Sequence, residues 1–320
     1  MLPIPTFRGY DFFPHDTRIN FMRFKAPCFW ASIVAMVISL ALFFTMGLNY
    51  GVDFKGGSLI EVQSKTGPAD IPALRGKLGG LGLGDVQIQQ FGQPTDVLIR
   101  VEQQAGGEEA QQVALKKVTD ALGDDFIQRR VEVVGAAVSA ELRRDGLLAV
   151  LGAIAAIIAY VWFRFEWQFA LGTVVALAHD VLITVGVFSL LQLEFDLSIV
   201  AALLTILGYS VNDTVVVADR IRENLRKFRR MDLNELLNLS INETLSRTVL
   251  TGVTTIAVLI SLFVFGGSVI RNFSFAMLFG VLVGTYSSIF ISAPILDYLG
   301  VRRETVTGTK VPGISDKPIL

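Results

Sequence analysis

Long apolar stretches alternate with polar segments along this chain, and their lengths predict a membrane protein. A helix needs roughly 20 apolar residues to cross about 30 Å of hydrocarbon. Six stretches are long enough, at residues 28–48, 146–163, 168–191, 197–218, 248–265 and 273–296. We therefore predict six transmembrane helices. The first is expected to be an uncleaved anchor, because no small-residue cleavage site follows it.

The polar segment between the first and second apolar stretches has a shorter rhythm. Runs that alternate apolar and polar residues are typical of half-buried strands. Four such runs occur, at residues 58–64, 86–91, 97–102 and 126–135. Helices are predicted between them, at residues 70–81 with Asp70 as the N-cap, and at 108–122 with an apolar face of Val113, Leu115, Val118 and Leu122. The order β-α-β-β-α-β is that of a ferredoxin-like domain.

The predicted fold class is a polytopic α-helical membrane protein, with six transmembrane helices and an inserted α+β ferredoxin-like domain. Lys and Arg collect on the cytoplasmic side of such proteins, and here they form three groups that six spans place on one side. The groups are Arg8, Arg18, Arg23 and Lys25; Arg220, Arg222, Arg226, Lys227, Arg229 and Arg230; and Arg302 and Arg303. Both termini are therefore expected in the cytoplasm, and the inserted domain on the outer side.

These observations divide the chain into five parts. They are a cytoplasmic N-terminal segment (1–27), the first transmembrane helix (28–48), the outer α+β domain (49–145), a five-helix bundle (146–298) with a cytoplasmic loop at 219–246, and a cytoplasmic tail (299–320). Residues 136–144, which lead into the bundle, are expected to be helical and to continue into the membrane. Such a helix would either tie the outer domain to the bundle mechanically or act as a passive spacer.

Composition agrees with a membrane setting and excludes several other classes. Of the 320 residues, 52% are hydrophobic and 18% are charged, and the mean hydropathy is +0.55. A net charge of −1 gives no basic field for nucleic acid. The single cysteine, Cys28, cannot form an internal disulfide, and the two histidines, His15 and His179, do not predict a metal site.

Two polar residues, Asn212 and Asp213, lie deep in the fourth apolar stretch. A carboxylate at membrane depth costs at least about 2.5–3.5 kcal/mol, so such residues usually move protons or ions. The pair therefore predicts a membrane machine driven by an ion gradient.

Arg247 begins the fifth span near the expected level of Asp213, and Thr251, Thr254 and Thr255 continue its face at helical spacing. An aspartate opposite an arginine can act as a proton-linked switch, because the carboxylate pairs with the cation only when it is ionised. The alternative is a static ion pair that holds two helices together.

His179 and Asp180 lie near the middle of the third span. A histidine beside an aspartate can relay protons near neutral pH. Adjacent residues point about 100° apart on a helix, however, so helix packing is an equally physical role for either side chain. We treat the two residues as a secondary polar site whose role stays open.

A glycine-rich motif follows the first span, with Gly51, Asp53, Phe54, Gly56 and Gly57 as its marked residues. The glycine pair permits tight backbone geometry. Asp53 and Phe54 are candidates to anchor the outer domain to the membrane surface or to a partner, although turn formation alone would explain the motif. It does not fit a phosphate-binding loop, which requires GxxxxGK[ST].

Small residues in the fourth and sixth spans predict close helix packing. Gly208 and Ser210 lie in the fourth span, and Gly280 and Gly284 form a small-xxx-small stripe in the sixth. Pro294 is expected to bend or end the sixth span.

Three motifs together resemble the SecD/SecF family of bacterial protein translocase subunits, part of the resistance-nodulation-division superfamily. They are GVDFKGGS at residues 51–58, AHD at 178–180 and ILGYSVNDTVVVADRIRENL at 206–225. The resemblance extends over nearly the whole chain, because the order of one span, an external domain and five further spans also matches.

The resemblance implies an accessory subunit of the bacterial inner membrane that pairs with SecD beside the SecYEG channel, with YajC and YidC as further partners. It would use the proton-motive force to move unfolded preproteins, with protons as the coupling ion and no other cofactor. Asp213 would be the proton-path carboxylate and Arg247 the basic residue on the neighbouring helix, together with Asn212 and Thr251. A second aspartate of the path would belong to SecD.

Two other function classes stay open on the sequence. A proton-coupled exporter of small molecules or lipids in the same superfamily would also need an intramembrane carboxylate, although a single six-span half argues against an independent pump. An intramembrane enzyme is the second, but the six apolar stretches contain no HExxH, GxSxG or GxGD motif.

Overall fold

The computed structural model describes residues 17–228, 230–267 and 270–301. Within these residues, six helices are long and apolar enough to cross a membrane, which confirms the predicted number. They are Phe21–Met46, Ala136–Arg164, Trp167–Leu191, Leu197–Lys227, Leu233–Phe265 and Arg271–Tyr298. The first sixteen residues, Arg229 and the predicted tail from residue 302 lie outside the described residues.

The predicted helices and strands follow one another in the predicted order, and several short elements between them were not predicted. The helices are α1 (Lys25–Met46), α2 (Val52–Lys55), α3 (Ile71–Gly79), α4 (Gly107–Leu122), α5 (Ala136–Arg164), α6 (Trp167–Leu191), α7 (Leu197–Lys227), α8 (Leu233–Phe265), α9 (Arg271–Ser287) and α10 (Ala293–Tyr298). The strands are β1 (Asn49–Tyr50), β2 (Gly57–Ser64), β3 (Val86–Gln90), β4 (Asp96–Val101), β5 (Phe126–Val134) and β6 (Glu194–Phe195). A π-helical turn (Ser288–Ser292) joins α9 to α10.

The inserted domain has the predicted ferredoxin-like architecture. Its four strands form an antiparallel sheet in the order β3-β4-β2-β5, with α3 and α4 as the connecting helices. Ile60 and Ile99 are fully buried in its core, which is separate from the cores of the bundle. Asp70 caps α3 as predicted, because its carboxylate accepts from the backbone N–H of Ala73 at 3.0 Å.

The predicted apolar face of α4 was wrong at one position. Val118 and Leu122 are buried, but Val113 is 55% exposed, and Gln111 and Ala114 take the inward positions instead. The reason is helical geometry, since residues 111, 114, 118 and 122 follow a 3.6-residue period and residue 113 does not. Gln111 can be buried because its amide donates to Ser58 Oγ at 2.8 Å.

Several helices extend well beyond the apolar stretches that predicted them. α5 runs without a break from the outer domain into the bundle, as expected for residues 136–144. Most of the region predicted as the loop 219–246 is also helical, because α7 continues to Lys227 and α8 begins at Leu233. Asp232 starts α8 as an N-cap that accepts from the N–H of Asn234.

The small residues of the sixth span bring α9 directly against α7. A side chain at Gly280 would lie 2.3 Å from Ile206, and one at Gly284 would lie 3.1 Å from Ser210. The predicted packing role of this stripe and of Ser210 is therefore seen. A Cβ added to Gly208, in contrast, would meet no described atom within 4 Å. Pro294 lies in the first turn of α10, directly after the π-helical turn, and the span continues past it to Tyr298.

Candidate functional site

Asp213 lies on the buried face of α7, at its contact with α8. The residue is only 7% exposed. Thr248 Oγ1 donates to Asp213 Oδ1 at 2.5 Å, and among the described residues the buried Oδ2 has no hydrogen-bond partner. The carboxyl group is thus held through one oxygen by Thr248, and the Ser288 hydroxyl is the other hydroxyl that acts on it.

The two faces of α7 explain why the neighbouring residue Asn212 is not part of this contact. Ser210, Asp213 and Thr214 recur at helical spacing and point into the bundle. Asn212 is rotated by about 100° and lies on the exposed face with Gly208. Asn212 therefore faces outward at the same depth as Asp213.

Arg247 and Thr251 lie on the exposed side of α8. Arg247 forms no ion pair with Asp213 within 4.0 Å in the described part of the chain, although its charge acts on Asp213 at longer range. The Thr251 hydroxyl donates within α8, to the carbonyls of Arg247 and Thr248. The structure thus brings Asp213 into contact with Thr248 rather than with Arg247 or Thr251.

A second buried cluster lies one turn away. Asp180 is fully buried; its Oδ2 accepts from Ser210 Oγ at 2.6 Å and from Ser287 Oγ at 2.9 Å. His179 is 1% exposed, and its Nδ1 lies 2.9 Å from Asp180 Oδ1. His179 and Asp180 therefore bond to each other despite their rotation along the helix, and Asp180 joins α6 to α7 and α9.

A further pair of hydroxyl groups joins α7 to the π-helical turn. Thr214 Oγ1 lies 2.9 Å from Ser288 Oγ, at the start of the π-helical turn. Thr214 directly follows Asp213 on α7, and Ser288 directly follows Ser287. π-helical turns are rare and occur frequently at functional sites.

The glycine-rich motif forms the joint between the outer domain and the bundle. Residues Val52–Lys55 make the short helix α2, and Asp53 Oδ2 accepts from the N–H of Leu197, the first residue of α7, at 2.9 Å. Phe54 is buried in a cluster shared with α6, α7 and α9. Both anchors therefore bind this chain's own transmembrane helices.

The glycines of the motif are required by close approaches. Gly51 donates to the carbonyl of Phe195 at 2.9 Å, beside the parallel pair of β1 and β6. Gly56 and Gly57 have φ angles of +77° and +111°, and a Cβ on Gly57 would lie 2.4 Å from the carbonyl oxygen of Val101. Only glycine fits such a position without displacing backbone.

An ion pair between the outer domain and the bundle was not predicted from the sequence. Arg100 of β4 pairs with Glu194, in the connection between α6 and α7, at 2.6 Å. Arg100 also donates to Asn49 Oδ1 at 3.2 Å. Burial raises the pKa of Glu194 above its usual 4.5, against the opposing effect of Arg100. Burial likewise raises the pKa of Asp196 above its usual 3.8, against its hydrogen bonds to Ser198 and Ile199.

These two pKa shifts predict that the contact between the outer domain and the bundle becomes more stable as the pH falls. A carboxyl group whose pKa is raised in the closed joint binds protons more tightly there than in an open joint. The closed joint therefore gains stability as the pH falls from neutral toward 4.5, and loses it as the pH rises. Hydrogen exchange of the Gly51 and Leu197 amides, corrected for the intrinsic rate, should be slower at pH 5.5 than at pH 7.5.

The variant Glu194→Gln provides the control for this prediction. It removes one of the two titrating groups and keeps the shape, so the difference between the two pH values should shrink. Equal protection at both pH values in the unmodified chain would contradict the prediction.

Sequence reasoning missed the hydroxyl partners of both carboxylates. Thr248, Ser210, Ser287 and Ser288 are common residues in transmembrane helices, and each also bonds readily to its own helix backbone. The available sequence signal was helical spacing, because Ser210 lies on the same face of α7 as Asp213 and Thr214. No sequence pattern links Arg100 to Glu194, because the contact joins two separate domains.

Comparison with known proteins gives consistent matches. Residues 114–302 match the family model for the C-terminal part of the protein export membrane proteins SecD/SecF, and residues 41–67 match the SecD/SecF GG motif. The protein translocase subunit SecF of Cereibacter sphaeroides is 48% identical over 299 residues, which cover 91% of this chain and 92% of that protein.

Longer relatives contain a region that is similar to this chain. The protein translocase subunit SecDF of Brucella abortus is 43% identical, with 93% of this chain matched to 39% of that protein. The crystal structure of SecDF from Thermus thermophilus, a translocon-associated membrane protein, superposes with a TM-score of 0.81 at 37% identity, covering 89% of this chain and 39% of that one.

Proposed function

Because this chain belongs to the SecD/SecF family of protein export membrane proteins, we propose that it is the subunit that, together with SecD, couples the proton-motive force to preprotein translocation and membrane insertion through SecYEG. In this proposal protons are the coupling ion, and no other cofactor and no enzymatic reaction is involved. The chain would lie in the bacterial inner membrane with both termini in the cytoplasm and the ferredoxin-like domain in the periplasm.

The observation that supports proton coupling most strongly is the environment of Asp213. A buried carboxylate with one oxygen unpartnered is poorly stabilised as an anion, so proton binding relieves a real energetic cost. Proton release, in turn, leaves a charge that needs a new partner. Arg247, one residue before Thr248 on α8, is the cation in position to respond when the helices shift.

An exposed polar face supports the proposed pairing with SecD. Asn212 on α7 and Arg247 and Thr251 on α8 face outward within membrane-spanning helices. An arginine or asparagine facing lipid is costly, so helices of a second subunit are the expected cover. The fused SecDF relative of Brucella abortus has more than twice the length of this chain, which leaves room for such a second half.

The other proposed partners act outside this face. We propose that the outer domain contacts the unfolded preprotein as it leaves SecYEG, and that YajC and YidC associate with the same complex. The contacts of Asp53 and Phe54 support this division of roles, because they attach the outer domain directly to the helix bundle.

The proposal is tested by isolating the chain from membranes under mild detergent. We expect recovery with SecD and SecYEG, and a preprotein transport activity in vesicles that falls to the level without this chain when a protonophore dissipates the gradient. Recovery without translocon subunits would instead favour a proton-coupled exporter. Transport that is indifferent to the protonophore would contradict proton coupling.

A further inference from the structure

A cavity of about 340 Å³ lies where α5, α6 and α7 meet the glycine-rich joint, and the proposed function does not use it. Gly146, Leu147 and Val150 of α5 line the cavity together with Leu203 of α7. Leu147 is also 61% exposed, so the cavity opens on the outside of the bundle. It is therefore an open apolar groove, which we call the α5 groove.

The α5 groove begins at the hydrocarbon boundary and runs toward the middle of the membrane. The apolar stretch of α5 starts at residue 146, three residues after Arg143, which also lines the groove. Val150 lies seven residues beyond Arg143, or about 10 Å along the helix. Half of the hydrocarbon thickness is about 15 Å, so the groove spans most of the half next to the outer domain. Its length and its apolar lining fit the acyl chain of a lipid.

Arg143 is the one charged residue of the groove within the described part of the chain. Its guanidinium forms no ion pair and no hydrogen bond with any described residue. The acidic residues nearest in sequence, Glu141 and Asp145, are two positions away, so they point to other sides of α5. A guanidinium at the hydrocarbon boundary lies at the level of lipid phosphates, and its planar donors match the geometry of a phosphate.

We propose that the α5 groove binds one anionic phospholipid from the membrane half next to the outer domain. Arg143 donates to the phosphate, and one acyl chain fills the groove as far as Val150 and Leu203. A free phosphate would leave the apolar groove without an occupant. A zwitterionic headgroup would bring a second cation beside Arg143, where the described lining offers no acid to receive it.

A helix of a second subunit is the competing occupant, and two observations favour lipid. The polar face proposed to bind SecD contains Asn212, Arg247 and Thr251, and none of these three residues lines the groove. A partner helix would also have to place an acid beside Arg143, whereas the membrane itself supplies phosphates at that level.

The bound lipid would stabilise the joint, because aromatic rings of the joint form the other side of the groove. Tyr50, Phe54 and Phe195 line it, and their ring centroids lie 6.1–6.2 Å apart. Phe54 and Phe195 are buried, whereas Tyr50 is half-buried. An acyl chain packed against these rings adds contacts that exist only while the outer domain is docked. Lipid binding and docking should therefore stabilise each other.

The test uses the full chain in phosphatidylcholine nanodiscs that contain phosphatidylglycerol with a photoactivatable group in its acyl chain. Mass spectrometry after irradiation should locate the label on groove residues, such as Val150, Val185 and Leu203. Arg143→Gln should reduce this label about tenfold, as expected for the loss of one hydrogen bond to a charged group. Unlabelled phosphatidylglycerol should compete with the label, and inorganic phosphate should not.

Arg144→Gln is the matched control, because it removes the same charge from the next residue of α5. Arg144 is exposed and does not line the groove, so its variant should leave the label unchanged. Val150→Phe keeps Arg143 but fills the groove, so it should also reduce the label. Leu148→Phe adds an aromatic ring at a 52% exposed position outside the groove and should have no effect.

A second measurement follows the joint itself. Phosphatidylglycerol at constant pH should slow the hydrogen exchange of the Gly51 and Leu197 amides in the unmodified chain and in Arg144→Gln. It should have no such effect in Arg143→Gln. Exchange that does not respond to phosphatidylglycerol in the unmodified chain would overturn the proposed stabilisation of the joint.

Three results would overturn the lipid site. An equal loss of label in Arg143→Gln and Arg144→Gln would show only a general attraction of anionic lipid to a basic surface. Competition by inorganic phosphate would assign Arg143 to a free anion. Absence of label from the groove, in the chain alone or in a complex with the subunits that it retains on isolation, would mean that protein or nothing covers the groove.

Discussion

Replacing Asp213 with asparagine should abolish the gradient-driven part of export while the chain still folds and assembles. The amide has nearly the same shape and can still accept from Thr248, so the contact between α7 and α8 is retained. It cannot gain or lose a proton, however, so the coupling free energy between the proton and the helices is lost. Export by the variant under a proton gradient should therefore fall to the rate measured without a gradient.

Two variants make this result specific. Asn212→Ala removes the neighbouring polar side chain from the exposed face proposed to bind SecD, so any loss that it causes should appear as reduced recovery of SecD and not as lost gradient dependence of the assembled complex. Thr248→Val removes the donor while keeping the shape, so it should reduce the rate less than Asp213→Asn does. Full export activity of Asp213→Asn under a proton gradient would rule out Asp213 as the proton-binding group.

Replacing Gly57 with alanine should destabilise the joint and the outer domain more than any other single methyl group added to the glycine-rich motif. The φ angle of +111° alone costs an L-residue about 1–3 kcal/mol. The new Cβ would also lie 2.4 Å from the carbonyl oxygen of Val101, so β2 and β4 must separate locally. Thermal unfolding of the purified protein should move down by roughly 5 °C or more.

Gly67→Ala is the matched control for this prediction. Gly67 has a φ angle of +122°, similar to that of Gly57, but a Cβ there would meet nothing within 4 Å. The control therefore includes the backbone cost without the collision. If the two variants unfold at the same temperature, the close approach of Gly57 to Val101 contributes nothing measurable.

Much of the fold could be predicted because each element has its own periodic signal. The six spans follow from apolar length, and the strands of the outer domain follow from alternation. The limits of the helices could not be predicted, because polar turns of α5, α7 and α8 extend beyond the apolar stretches. Val113 shows the same limit on a smaller scale, since an apolar residue alone does not decide which face of an amphipathic helix is buried.

The candidate site was predictable only where a residue is costly in its setting. Asp213 stands out because an acid in an apolar helix needs a reason, and His179 and Asp180 stand out for the same reason. Thr248, Ser210 and Ser287 are ordinary in such helices, so their role becomes visible only when three helices are placed together. For this reason the sequence pointed to the guanidinium of Arg247 as the partner of Asp213, whereas the structure shows the hydroxyl of Thr248.

The seat of Asp53 on the first residue of α7 has a mechanical consequence. Leu197 and Asp213 belong to one unbroken helix and lie about 24 Å apart along its axis. Force applied to the outer domain at Asp53 would therefore reach the level of Asp213 along one continuous helix. Under the proposed function, force on the outer domain and proton binding at Asp213 would therefore act on the same helix.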